Sequence, residues 1–354
     1  PRDRQGVFPL FSSMSNYAGV TKYIEQINVA DRTSEVMRRA FGAIHQGRTG
    51  PVMVEIPADI ALEEVSEESF FWSQNVRKIG SQGDPGDIES AAKVLCAAKN
   101  PIIHAGQGVL LAAATNELVE LAELLNIPVM TTLLGKSAFP EVHPLALGSG
   151  SGVTSGPVQY FMSISDVVLG IGCSFTKHGM SMNIPAGKTI IHATNDPRDI
   201  NKDYDVEYPI VGDAKLVLRQ LIEACKDIMG SSQIQREDIS RAIDSQRNQW
   251  LAEWSRKLES SEKPINPYRV IWDFMRTIPP QDAVVTHDSG SPRDQIVPFY
   301  RSNGPRTYLG WGKSHGLGTG LGLVIGAKLA DPSKMCVNFM GDAAFGMTGL
   351  DFET

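Results

Sequence analysis

Cysteine is scarce and never paired in this sequence: Cys96, Cys173, Cys225 and Cys336 each stand alone in apolar stretches. That spacing excludes a disulfide framework and a CxxC redox or zinc site, and it predicts four buried free thiols in a reducing cytoplasm. Basic charge is also in deficit, with 33 Lys and Arg against 40 Asp and Glu, a formal net charge of −7 and no local basic stripe. Nucleic acid is therefore not an expected partner. No apolar run reaches the length of a membrane span, and Pro1-Arg-Asp-Arg-Gln-Gly6 lacks the basic and apolar regions of a signal peptide, so no membrane partner is expected either. Tandem repeats of solenoid period are missing. An initiator Met is missing too, and the last residues fall just after a helix should begin, so the expectation is a piece of a longer polypeptide.

What is present is 354 residues with 42% hydrophobic content, enough to bury the cores of two or three domains. Residues 30–44 place Val36, Met37, Ala40, Phe41 and Ile44 at helical spacing, and a turn at Gly47-Arg-Thr-Gly-Pro51 leads into an apolar strand over 52–56. The partner of that strand is expected upstream of Pro1. Ser, Gln, Gly and Pro gather before Gly86 as a linker would. From there the sequence alternates: helix 87–99, strand 101–104, a turn at Gly106-Gln-Gly108, helix 112–126, strand 127–131, helix 157–164, strands 166–171 and 188–193, helix 213–228. Continuous Val/Ile strands between amphipathic helices predict α/β architecture with doubly wound parallel sheets. A polar stretch over 230–263 keeps an apolar stripe of Ile239, Ile243, Trp250, Leu251 and Trp254 and reads as a connecting helix. A third unit follows, with helix 268–277, strand 283–286, a loop from His287 to Arg293, strand 307–309, a glycine-rich helix over 317–329 and strand 335–340.

Three loops of that third unit follow strands, which is where an open α/β sheet binds its ligands. They are Thr286-His-Asp-Ser-Gly-Ser-Pro-Arg293, Gly310-Trp-Gly-Lys-Ser-His-Gly-Leu-Gly-Thr-Gly320, and the turn Gly341-Asp-Ala-Ala344 after Met335-Cys-Val-Asn-Phe-Met340. A strand breaking at Gly-Asp before a small-residue helix start can turn backbone N–H groups toward a phosphate and offer a carboxylate to the cation that neutralises it. His287 and His315 are candidate acid/base groups, and Lys313 and Arg293 candidate partners of a substrate carboxylate. The glycines at 316, 318, 320 and 322 could equally serve close helix packing, and a leucine in the place of Leu317 is ordinarily core.

These loops, in this order, resemble the pyrophosphate-binding domain of thiamine diphosphate-dependent enzymes, most closely the acetolactate synthase-like branch. Asn100-Pro-Ile-Ile-His-Ala-Gly106, Ile127-Pro-Val-Met-Thr-Thr-Leu-Leu-Gly-Lys-Ser-Ala-Phe-Pro140 and His143-Pro-Leu-Ala-Leu-Gly148 resemble its middle domain, and Arg48-Thr-Gly-Pro-Val-Met-Val-Glu-Ile-Pro57 the end of its pyrimidine-binding domain. The resemblance implies a three-domain architecture truncated at both ends: pyrimidine-domain remainder 1–66, linker 67–86, middle α/β domain 87–229, connecting helix 230–263 and pyrophosphate-binding part 264–354. It implies thiamine diphosphate held through Mg²⁺ on Asp342, phosphate contacts from the amides of Ala343 and Ala344, backbone contacts from Gly290, Ser291, Gly316, Gly318 and Gly341, and Leu317 wedged beneath the bent cofactor. Ala343 replaces the family's usual Gly. The implied substrate is a 2-oxo acid and the implied assembly a homodimer or homotetramer with the site between subunits. Neither Glu25 nor Glu35 fits the family's ring-activating Glu, so residues 1–354 alone are expected to be inactive. The branch implies FAD near Gly170–Phe175 and Asn195–Asp199, but Gly148-Ser-Gly-Ser-Gly-Val153 departs from the Gly-Met-His-Gly type of turn. Two other readings compete: an NAD- or FAD-dependent oxidoreductase, for which Gly106-Gln-Gly108 lacks the third glycine of the fingerprint, and a non-catalytic member of the same family.

Overall fold

The structure, a computed structural model, describes residues 11–69, 78–230, 238–312 and 316–353. The chain forms two compact units, divided between Ser81 and Gln82.

The smaller unit holds two parallel strands, β1 (Tyr23–Gln26) and β2 (Val52–Glu55), in register Tyr23 to Val52. Helix Thr33–His45 crosses between them, and Ile27, Ala30, Val36 and Ile60 form its small core. The expectation that β2 would find its partner only upstream of Pro1 is corrected here, because β1 supplies one. β1 escapes a pattern search because its four residues, Tyr-Ile-Glu-Gln, are mixed in polarity and all half-buried.

The larger unit contains a six-stranded parallel sheet of order β5-β4-β3-β6-β7-β8, comprising β3 (Pro101–Ala105), β4 (Val129–Thr132), β5 (Ala146–Gly150), β6 (Val167–Ile171), β7 (Thr189–Thr194) and β8 (Tyr208–Val211). Every residue of β3 and β6 is buried, as strands covered on both faces must be. Successive side chains feed opposite faces. Ile103, Leu169 and Ile191 meet helices Pro85–Ala97, Thr115–Leu125 and Ala214–Met229 on one face, while Ile102, Val168 and Ile190 meet helix Gly156–Ile164 on the other. Helix boundaries follow local chemistry: Asp84 caps the first of these helices by accepting from the amides of Gly86 (2.8 Å) and Asp87 (3.3 Å), with Pro85 in its first turn. Asn126, in the left-handed region at φ 48°, ends the second. The helix expected over 112–126 runs Thr115–Leu125, and a further short helix, Gln107–Leu111, starts within the expected turn at Gly106–Gly108 and is separated from it by Ala113 at φ 49°.

Helix Ile239–Leu258 runs from this sheet to the next, a three-stranded parallel sheet of order β10-β9-β11 with β9 (Ala283–His287), β10 (Tyr308–Leu309) and β11 (Met335–Phe339). Ala283 and Val285 pack with Ile271, Ile296, Tyr300 and Tyr308 beneath Trp250 and Trp254. The loop expected from His287 to Arg293 is shortened by a helical turn, Ser291–Ile296, started by Pro292 in its first turn. Cys173 and Cys225 are buried, whereas Cys96 and Cys336 are only partly so, which corrects the expectation of four buried thiols. Among the described residues, no helix is long and apolar enough to cross a membrane.

Candidate cofactor site

The carboxyl ends of β9, β10 and β11 open on one edge of the third sheet, and the three loops singled out in the sequence leave from them. Asp288, directly after β9, gathers them. Its carboxylate is fully buried and accepts four amide contacts: Ser289 N at 2.7 Å and Gly318 N at 3.0 Å on Oδ1, then Gly318 N at 3.1 Å and Gly320 N at 2.9 Å on Oδ2. Its own amide donates to Phe339 O at 2.8 Å, which ties the loop to β11. Sequence reasoning passed over Asp288. The signal was an acid immediately after an apolar strand, facing a Gly-x-Gly thirty residues on.

Close backbone approach explains the glycines on either side. A Cβ at Gly320 would lie 2.6 Å from Asn338 Oδ1 and 2.7 Å from His287 O, so the helix Thr319–Ala330 touches the ends of β9 and β11 without a spacer. Gly318 sits at φ +92°, and a Cβ there would meet Thr348 Cγ2 at 2.1 Å. The 316–320 loop therefore packs against the helix that Asp342 begins, Asp342–Thr348. Gly290, at φ +90°, precedes Ser291, and both are exposed. Gly316 is exposed as well.

Asp342 is exposed and its Oδ1 accepts from Ala343 N at 2.9 Å. Gly341 precedes it in an extended conformation, and the first backbone bond of the helix runs from Phe345 N to Gly341 O at 3.0 Å. The earlier amides of a helix have no backbone acceptor within it: that of Ala343 is taken by Asp342 Oδ1, and that of Ala344 could meet a phosphate group placed at this turn. Among the described residues no three His, Cys, Asp or Glu side chains gather as a metal centre. A Mg²⁺ here would rest on Asp342 and on oxygens of the diphosphate itself, an arrangement common for that ion.

Leu317 is 42% exposed. It is not core, and an apolar side chain left in the open beside three ligand loops fits a wedge under a bound molecule. His287 is different from expectation in its surroundings: it is fully buried, its Nδ1 lies 3.1 Å from Asp288 O, and Trp311 stacks on it at 5.9 Å while its carbonyl accepts Trp311 Nε1 at 3.3 Å. Burial pushes its pKa down to about 4, so the ring is neutral near pH 7. Arg293 is buried too and pairs with Asp294 at 2.7 Å. His315 and Lys313 lie outside the described residues.

The central sheet reverses strand order between β3 and β6, where a dinucleotide would be expected. There the turns after β3 and β6 approach each other closely. A Cβ at Gly106 would lie 2.2 Å from Gly172 O, Gly108 N donates to Gly172 O at 2.8 Å, and Phe175 fills the space behind, 4.6 Å from the His192 ring and 5.7 Å from that of His104.

All-parallel sheets, with glycine loops gathered at the carboxyl ends of three strands, define an α/β protein whose candidate ligand site lies at that edge. The chain belongs to the thiamine pyrophosphate enzyme family: the family's central-domain model matches residues 88–221, and the model of its C-terminal TPP binding domain matches residues 288–354. Among curated proteins it is similar to a probable acetolactate synthase large subunit of Methanococcus aeolicus, 33% identical over 98% of this chain and 60% of that protein. It is likewise similar to the acetolactate synthase isozyme 3 large subunit of Escherichia coli K12, 30% identical over 95% of this chain and 58% of that protein. The chain thus spans about 60% of the length of the curated relatives it matches.

Proposed function

We propose that the protein is a thiamine diphosphate- and Mg²⁺-dependent enzyme that forms or cleaves a carbon–carbon bond of a 2-oxo acid, with an acetolactate synthase-like carboligation as the reaction. The observation that carries this reading is the gathering of Gly318 and Gly320 by the buried Asp288 carboxylate, in the stretch where the family's TPP binding domain matches. It holds Leu317 beside the helix that begins at Asp342.

The division of work among the residues follows. Asp342 holds the cation, and the amides of Ala343 and Ala344 donate to the diphosphate. Gly290 and Ser291 approach it from the β9 loop, and the Gly316 and Gly341 backbones leave room for it. Leu317 supports the cofactor from below. The bound cofactor supplies an electron sink for the carbonyl carbon of the substrate. His287, buried and neutral, stiffens the loop by stacking on Trp311 and is a poor candidate for direct proton transfer. The remaining side of the site is assigned to a partner subunit, which makes the working form a homodimer or homotetramer. Four cysteines without a disulfide accord with a cytoplasmic enzyme.

The test is an assay of the full-length protein with thiamine diphosphate, Mg²⁺ and a 2-oxo acid such as pyruvate, following loss of the acid and formation of a condensed product. Cofactor-dependent turnover supports the reading. Tight cofactor binding without turnover on any 2-oxo acid points to the non-catalytic member of the family, and indifference to the cofactor contradicts both.

A further inference from the structure

The larger unit encloses a second space, away from the three loops. A cavity of about 190 Å³ lies between the edge strand β5 with the turn after it, helix Ile239–Leu258, helix Pro267–Thr277 and the segment 297–301. Much of its wall is apolar, from Leu147, Pro157, Trp250, Leu251, Met275 and Phe299. Into this wall are set Lys136, Glu141, Arg247 and Arg301.

The charges do not balance. Glu141 is fully committed: it accepts from Lys136 Nζ at 2.7 and 2.6 Å and from Ser302 N and Oγ at 2.8 and 2.9 Å, all in buried surroundings. Lys136 spends its remaining donor on Tyr300 O at 2.7 Å. This leaves two guanidinium groups. Arg247 donates to Ala146 O at 2.7 Å and to Asp244 Oδ1 at 3.0 Å, but the Asp244 side chain is mostly exposed and screens it poorly. Arg301 donates only through Nε, to Glu141 O at 2.8 Å, and among the described residues its two terminal nitrogens meet no acceptor. Burial pushes both arginines below their ordinary pKa, and Arg301 pushes Arg247 further in the same direction. Arg301 is half-buried, Glu141 and Asp244 offset its charge only in part, and a planar guanidinium fork matches a carboxylate best. Trp272 on the same wall has a buried indole N–H with no acceptor among the described residues.

We propose that this cavity binds a small monocarboxylate with a compact apolar body, its carboxylate on the free fork of Arg301 and its body against Trp250, Leu251 and Met275. An apolar cavity of about 150 Å³ accepts a benzene-sized molecule, so this one has room for a ring or branched chain with a carboxylate attached. The site goes beyond the cofactor reading, since its lining includes neither Leu317 nor Asp342.

Benzoate serves as the probe and benzamide as its neutral counterpart, titrated against the full chain without thiamine diphosphate while the fluorescence of Trp250 and Trp272 is followed. The expected result is a saturable change with benzoate, and binding at least about tenfold weaker for benzamide and for Arg301→Gln. Met275→Phe, which keeps both arginines and fills the space, should abolish the change while circular dichroism stays that of the parent. No saturable change with benzoate, equal affinity for benzamide, or unaltered binding by a folded Met275→Phe protein would each overturn the proposal.

Discussion

Replacing Asp288 by Asn tests the architecture of the cofactor loops with the smallest change of shape. The carboxylate is fully buried and takes amides on both oxygens, with Gly318 N shared between them and Gly320 N on Oδ2. An amide side chain keeps one acceptor and turns an NH₂ toward whichever backbone N–H remains. A hydrogen bond to a charged acceptor contributes about 1.5–3 kcal/mol, and a buried donor left without an acceptor costs about 1–3 kcal/mol. One bond lost or weakened, with one donor stranded, gives a destabilisation of roughly 2–4 kcal/mol; Asp288→Ala, which strands the amides of both Gly318 and Gly320, should reach roughly 4–5 kcal/mol. Urea unfolding reads the total, and hydrogen exchange at the amides of Gly318 and Gly320 reads the local loss. If Asp288→Asn unfolds at the parent's urea midpoint and those two amides exchange no faster, the carboxylate is not what holds the loop, and the reasoning fails.

Two glycines of one helix should respond oppositely to alanine. Gly320→Ala drives a methyl into His287 O and should cost about 1–3 kcal/mol, whereas Gly322→Ala meets nothing within 4 Å and should gain about 0.5–1 kcal/mol, both read from thermal unfolding. Lys136→Met leaves Glu141 buried without its cation and should destabilise by about 3–5 kcal/mol, and adding Glu141→Leu should recover much of that loss in a double-mutant cycle. His104 and His287 have folded-state pKa values lowered to about 4 by burial, so the unfolded chain binds more protons as pH falls below 6.5; their contribution is complete above that pH and fades toward pH 4, by roughly 3 kcal/mol each, which urea midpoints at pH 7.5, 6 and 5 will show. Leu317→Ala should leave stability within about 0.5 kcal/mol, since the side chain is already exposed, yet lower turnover of the loaded enzyme at least about tenfold.

Strands buried on both faces were legible because few of their positions are polar: β3, β6, β7 and β9 read as apolar runs, and the half-buried β11 did so despite Asn338. The strands that escaped lie at sheet margins or in small sheets. β5 carries Gly148 and Gly150 along an edge, β8 carries Pro209 on the opposite edge, and β1 is four mixed residues. Edge strands face one neighbour and tolerate glycine and proline, so composition hides them. At the site, Asp342 and the glycines were visible as a local strand-turn-helix pattern. Asp288 was not, because its role exists only once residues 30 and 32 positions away are folded onto it. Leu317 was singled out by resemblance alone; its residue type suggests core, and its exposure emerges only from the fold.

Under the proposed function, Asp342 is the metal-bearing carboxylate of a diphosphate site. Isothermal titration of thiamine diphosphate in saturating Mg²⁺, into the full-length protein and into Asp342→Ala, tests it directly, because an exposed side chain can be removed without unfolding the helix it begins. The prediction is saturable, Mg²⁺-dependent binding by the parent that weakens at least about a hundredfold in the variant. Equal affinity in the two proteins, or binding indifferent to Mg²⁺, would contradict it.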